Sequence, residues 1–117
     1  MKDITSREDI VFLLDSFYEK VKPDPLLGPV FANVDWPKHM PSIYNFWCSI
    51  VLGDQSYRDN PFEKHKNLAV NSTHFNRWIE LFTGTVDDHF AGEQADEIKS
   101  RAHSISGIFQ HRMGLGR

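Results

Sequence analysis

The side chains of this sequence that could act together in chemistry are His65, His39, Tyr18, Trp47 and Trp78. His65 ends the run Asn60-Pro61-Phe62-Glu63-Lys64-His65. A helical histidine just after a Pro-started turn can ligate a metal through Nε2 while its Nδ1–H bonds a backbone carbonyl. His39 stands four residues before Ile43 and eight before Trp47, so the three share one helix face. Tyr18, in Phe17-Tyr18-Glu19, is a phenol that must find a partner once buried, and Trp47 and Trp78 bring two indole N–H donors. A metal-binding histidine, a second histidine, two indole donors and a phenol in an aromatic-rich chain suggest an iron porphyrin held between helices.

Each residue has a plainer reading when taken alone. His65 is then a surface or core histidine, His39 a solvated residue at a helix start, and Tyr18, Trp47 and Trp78 ordinary core aromatics. His74 sits beside an expected helix N-terminus, while His89, His103 and His111 fall on polar helix faces. Neither HExxH nor an H-x-x-x-H pair occurs, so a zinc site with converging ligands is not indicated. Asp87-Asp88 and Asp96-Glu97 read as solvated helix faces. The glycines are scattered and form no phosphate loop. Cys48 lacks an activating base nearby in sequence and reads as a small buried hydrophobe.

The elements that must position these residues are helical. Apolar residues Ile10, Leu14, Phe17 and Val21, flanked by Val11 and Tyr18, predict a helix over about residues 6–22, with Thr5 and Glu8 as a capping box. Pro23 and Pro25 end it. Residues 26–36 read as a turn-rich connection with Phe31 pointing inward. Met40, Ile43, Trp47 and Ile50 predict a second helix over 38–52, irregular near Pro41 and stopped by Gly53. Residues 53–60 are polar and turn-like, and a short helix over 62–68 would present His65. A third long helix begins at a cap on Ser72 or Thr73, buries Phe75, Trp78, Ile79, Phe82 and Val86, and is closed by Gly92. A last helix over 93–110 buries Ala95, Ile98, Ala102, Ile105 and Phe109, followed by a frayed tail. No stretch alternates like a strand, so the expected class is all-α.

At 117 residues the chain fits a single domain over 1–117 with a modest core, which a large cofactor would stabilise. Nine of the fifteen aromatic rings are Phe, more than packing a small helical domain requires. A formal charge of −3 implies no broad basic face for nucleic acid. The start MKDITSREDI has no apolar signal region, no run approaches membrane-spanning length, and the single cysteine fits a reducing cytoplasm. No nucleic-acid or membrane partner is expected, and a monomer is.

Several runs together carry a family resemblance. They are FYEKVKPDPLLGPVF (17–31), DWPKHMPSIYNFW (35–47), VLG (51–53) with Tyr57, NPFEKH (60–65) and HFNRWIELF (74–82). The joint pattern is a Phe-Tyr pair, Trp and His before Phe-Trp, Asn-Pro then His, and Phe-x-x-Trp. Over about residues 8–110 it resembles the truncated haemoglobins, most closely their third group (P-type), which also lacks the Gly-Gly turns of the other groups.

The resemblance implies a shortened globin fold, a two-over-two helical sandwich around haem b (iron protoporphyrin IX). His65 falls on the proximal iron ligand. Tyr18 falls on the distal tyrosine that bonds the ligand, Trp78 on the tryptophan at the haem edge whose N–H points to it, and His39 on a distal histidine. Phe31 falls on the phenylalanine against the haem face, and Ile43, Phe46, Trp47, Phe75 and Phe82 would line the pocket. The implied partners are diatomic gases (oxygen, nitric oxide, carbon monoxide) and an unidentified reductase. Two donors that slow oxygen release suit oxidation of nitric oxide to nitrate, or peroxide activation, better than bulk oxygen transport. A haem-based storage or sensing module without turnover, and a helical domain without cofactor, are the alternatives. For His39 the options are a gate between pocket and solvent, a hydrogen-bond partner or a sixth iron ligand. The gate is favoured, because Pro41 loosens the helix start.

Overall fold

The computed structural model describes residues 1–53, 70–112 and 114, so the expected helix over 62–68, His65, Tyr57 and the last residues of the tail lie outside it. Helix α1 spans Arg7–Val21. Its cap is Ser6, whose side chain accepts from the Asp9 N–H at 3.3 Å, and not the expected Thr5 with Glu8. The reason is Asp9, whose carboxylate accepts from the Thr5 N–H at 2.9 Å and its hydroxyl at 3.1 Å and holds Thr5 outside the helix. Glu8 and Asp9 also place negative charge at the positive end of the helix. α1 buries Ile10, Leu13, Leu14, Phe17, Tyr18 and Val21. Leu13 widens the expected stripe because α1 is packed by two helices at once.

The connection after α1 holds a 3-10 turn at Gly28–Phe31. Asp24 folds it, since its carboxylate accepts from the N–H groups of Leu26 at 2.9 Å and Leu27 at 3.0 Å. The same carboxylate accepts from Arg77 Nε at 2.8 Å. Gly28 is required there: a Cβ would lie 2.5 Å from the Lys22 carbonyl oxygen. Helix α2 spans Trp36–Val51, starting two residues before the expected 38. Asp35 caps it, accepting from the Lys38 N–H at 3.4 Å, and Pro37 sits in the first turn, where no donor is needed. The helix runs on through Pro41, which removes one backbone bond near the start.

Helix α3 spans Ser72–His89, capped by Asn71 and not by Ser72 or Thr73. The Asn71 side chain accepts from the N–H groups of Thr73 and His74 at 2.9 and 3.4 Å. The His74 ring reaches back to the Asn71 N–H at 3.1 Å, closing a capping box. α3 ends before Phe90, which is extended, so Gly92 does not close it. Gly92, at φ +138°, instead turns the chain into helix α4, Glu93–Arg112, which runs two residues past the expected end. α4 buries Ala95, Ile98, Ala102 and Ser106, while Ile105 and Phe109 are only half-buried. Reading apolar residues alone overlooks Ser106, a small side chain one turn after Ala102 that lets the helix approach closely.

α3 packs against both α1 and α4, and α1 against α2, giving two stacked helix pairs. The N-terminal arm latches this arrangement. Ile4 is fully buried, and the Asp3 carboxylate accepts from the Gln94 N–H at 3.0 Å and the Ala95 N–H at 2.8 Å at the start of α4. There is no strand among the described residues, and none of their helices is long and apolar enough to cross a membrane. The fold is all-α.

These carboxylates make the fold acid-sensitive. The Lys2 ammonium bond holds Asp9 down from 3.8 to about 2. The Gln94 N–H lowers Asp3, and the Leu27 N–H, helped by Arg77, lowers Asp24. Folded-state values below the unfolded ones give stability that is complete above pH 4 and lost as pH falls toward 2. Thermal unfolding should therefore be flat from neutrality to about pH 4.5 and drop below it. Asp9 contributes roughly 1–2 kcal/mol to the fall after allowance for solvent screening. Asp9→Asn should be less stable at neutral pH and less acid-sensitive. An unchanged melting temperature between pH 5 and about 2.5 would contradict this.

Candidate functional site

The chemistry-bearing residues converge where α1, α2 and α3 meet. Tyr18 comes from the last turns of α1, and its neighbour Phe17 is fully buried. The Phe17 ring meets Tyr18 edge-on at 4.7 Å, Trp78 at 5.7 Å and Phe82 at 5.2 Å, so one phenylalanine orients the three. Trp78 and Phe82, one turn apart on α3, stack with ring centroids 5.2 Å apart and 18° between planes. On its other contact Phe82 stacks with Trp47 of α2 at 5.1 Å and 26°. Trp47 and Phe82 are buried, Trp78 is half-buried, and Phe46 meets Trp47 edge-on at 5.2 Å.

The polar groups at this centre are the Tyr18 phenol and the Trp78 indole N–H, both packed against the Phe17 ring. Burial pushes the Tyr18 phenol above the ordinary tyrosine range, and the Trp78 bond draws it part of the way back. Tyr18 is thus a protonated donor at any physiological pH.

The other expected residues surround this pair. Phe31 ends the 3-10 turn, half-buried, its ring 6.0 Å from Trp36. Ile43 and Phe46 of α2 are half-buried against the core, and Phe75 is half-buried in the first turn of α3. His39 is half-buried in the first turns of α2, with its backbone N–H on the Asp35 carbonyl at 2.9 Å and its ring 6.4 Å from Trp36. The expected metal ligand His65 lies outside the described residues. Among those residues no group of three or more histidines, cysteines and carboxylates could hold a metal. Cys48 is fully buried in α2, His74 serves as a helix cap, and His89 is half-buried with its ring 4.9 Å from Phe12.

Two contributors had no assigned role in the sequence. Trp36 lies 5.1 Å from the Tyr18 ring and also touches Phe31 and His39, with Lys22 Nζ 5.2 Å over its own ring. Its place in DWPKH, three residues before His39, was the available signal. Asp24, buried at 6% exposure, ties the 3-10 turn to Arg77, the neighbour of Trp78. No local pattern announces a pair so distant in sequence.

The donor set fits a porphyrin. Phe31, Ile43, Phe46, Phe75 and Trp78 present half-buried apolar surface suited to a flat apolar ring. The Tyr18–Trp78 pair places a hydroxyl donor beside that surface.

Comparison with known proteins agrees. The profile of the bacterial-like globins matches residues 2–113. The chain is 33% identical over 115 residues to the Group 3 truncated hemoglobin ctb of Campylobacter jejuni, with 92% of this chain and 91% of that protein covered. It is 31% identical over 64 residues to the Group 1 truncated hemoglobin GlbN of Nostoc commune, covering 54% of each. The crystal structure of a group III truncated hemoglobin from Campylobacter jejuni superposes with a TM-score of 0.86 at 34% identity, over 97% of this chain and 95% of that one. Two stacked helix pairs and these matches over nearly its whole length show that the chain belongs to the bacterial-like globins, in the third group of truncated haemoglobins.

Proposed function

We propose that this protein binds haem b through His65 and takes up oxygen and other diatomic gases at Tyr18 and Trp78, for oxygen or nitric oxide chemistry more than for bulk oxygen transport. Membership in the globins implies haem and haem-based ligand binding. The observation that carries the finer reading is the buried phenol of Tyr18 with the Trp78 indole packed beside it on Phe17, the indole drawing the phenol down against the effect of burial. Haem, when bound, supplies an iron that takes a diatomic ligand and shifts electron density onto its outer atom. Tyr18 donates its O–H to that atom. Trp78 polarises the phenol and fixes its orientation, which strengthens the donated bond. Phe31, Ile43, Phe46, Trp47, Phe75 and Phe82 exclude water around it, so the bond acts in a low dielectric.

Such a bond contributes roughly 1–3 kcal/mol, and each 1.4 kcal/mol slows dissociation about tenfold. Slow release suits reaction of the held ligand. Oxygen, nitric oxide and one electron from a reductase give nitrate; peroxide is the other candidate co-substrate. Absorption spectra of the oxidised and reduced protein test the haem, and stopped-flow oxygen dissociation with nitrate yield tests the chemistry. Slow dissociation with no turnover of nitric oxide or peroxide would leave a storage or sensing role. A colourless protein that takes up no added haem would end the proposal.

His39 acts as a gate in this reading. It sits at the loosened start of α2 against Trp36. His39→Ala should change ligand association rates more than dissociation rates. A low-spin bis-histidine spectrum of the unliganded protein, abolished by His39→Ala, would show iron ligation instead.

A further inference from the structure

A run of aromatic residues leads from Tyr18 toward the surface. Tyr18 and Trp78 both pack on Phe17, Trp78 stacks on Phe82 at 5.2 Å, and Phe82 stacks on Trp47 at 5.1 Å. Trp47 follows Tyr44 by three residues on α2, so the two are neighbours on one helix face, with Cβ atoms about 5–6 Å apart. Tyr44 is half-buried, and its hydroxyl donates to the exposed carboxylate of Asp15 on α1. The run thus begins at the distal pair and ends at a phenol–carboxylate pair open to solvent.

The two tyrosines at its ends differ in what receives their protons. A phenol that loses an electron becomes strongly acidic, so it is oxidised readily only where a base takes its proton. Around Tyr18 lie the rings of Phe17 and Trp36 and the Trp78 indole, whose N–H is a donor and no base. Tyr44 has a carboxylate already on its O–H. Burial, and then that carboxylate, push the Tyr44 phenol up to about 12, so it keeps its proton until it is oxidised. A base already on its O–H makes Tyr44 the better resting place for an oxidising equivalent that enters at Trp78. Phe82 is not oxidised itself; its ring fills the gap between the two indoles.

We propose that Tyr44, with Asp15 as its proton acceptor, is a surface site for one-electron oxidation of small phenolic reductants, connected to the haem pocket through Trp47, Phe82 and Trp78. The proposal rests on the haem reading above and names peroxide as the oxidant. Peroxide takes two electrons and two protons to become two waters. Each electron is replaced from Tyr44, which passes one electron inward and its O–H proton to Asp15, leaving a neutral tyrosyl radical and a protonated carboxyl. A phenol at the surface returns one electron, Asp15 returns the proton to Tyr44, and the proton of the phenol goes to water. Two such turns convert one peroxide and two phenols into two waters and two phenoxyl radicals.

The test is freeze-quench electron paramagnetic resonance of the haem-loaded protein after hydrogen peroxide, with mass-spectrometric mapping of oxidised tyrosines. The parent should give a tyrosyl radical and modification at Tyr44. Tyr44→Phe, which keeps the ring and its packing, should lose the signal. Asp15→Asn cannot accept the proton and should give a weaker signal, in a protein with the parental absorption spectrum. Trp47→Phe should slow its appearance. A parental signal persisting in Tyr44→Phe, on Tyr18 or Tyr57, would overturn the inference. So would a parent that binds haem and consumes peroxide without forming a tyrosyl radical, an outcome that leaves the haem reading intact. A parent that takes up no haem overturns both.

Discussion

His65→Ala should yield a folded, helical protein that holds haem weakly or not at all. In the proposed reading His65 of NPFEKH is the proximal ligand, so its imidazole is what ties the haem iron to the protein. The core of α1, α3 and α4, the Asp3 latch and the Asn71 cap are built from described residues that the substitution leaves in place. Far-ultraviolet circular dichroism should therefore stay close to that of the parent while the violet porphyrin band is largely lost. Added imidazole, replacing the missing ring, should restore part of that band. Full haem content with an unchanged coordination spectrum in His65→Ala would remove His65 from the iron.

The second large effect concerns ligand release. Tyr18→Phe removes the hydroxyl that would donate to a bound ligand, and Trp78→Phe removes the N–H that polarises that hydroxyl. Each should speed oxygen dissociation by about tenfold or more, the size of one lost bond in a low-dielectric site. In the proposed reading the two groups act in series, with the indole N–H polarising the phenol. Their effects should not add. The double variant should release oxygen little faster than Tyr18→Phe alone, a coupling that a double-mutant cycle measures directly. Strictly additive effects would mean that each donor reaches the ligand independently. Parental release rates in both single variants would mean that neither does.

Helix identities were legible from adjacent residues. Spacing alone placed Ile10, Leu14, Phe17 and Val21 on one face, and all are buried in α1. Phe82 and Val86 were likewise placed on the buried face of α3, and Ala95, Ile98 and Ala102 on that of α4. Helical periodicity is a local property, and so is a family motif such as FYEKV or HFNRW, which is why the all-α class and the globin membership could be read in advance. The helix starts were less legible. Competition between neighbouring side chains decides a cap: Asp9 draws Thr5 away from α1, and Asn71 with His74 outcompetes Ser72 and Thr73 at α3. Ser106 escaped because its contribution is small size, which a hydrophobic pattern does not register.

What only the tertiary structure decided are bonds between residues far apart in the chain. Sequence marked Tyr18 and Trp78 as donors, but only folding α3 against α1 brings both rings onto Phe17. Trp36 gains its contact with Tyr18 only when the start of α2 closes over the end of α1. Asp24 finds Arg77, and Tyr44 finds Asp15, across helix interfaces that no local spacing encodes. The physical reason is common to all of them. Periodicity determines which face of a helix is buried, whereas the partner of a polar group on that face is set by how the helices pack, and packing is a property of the whole chain.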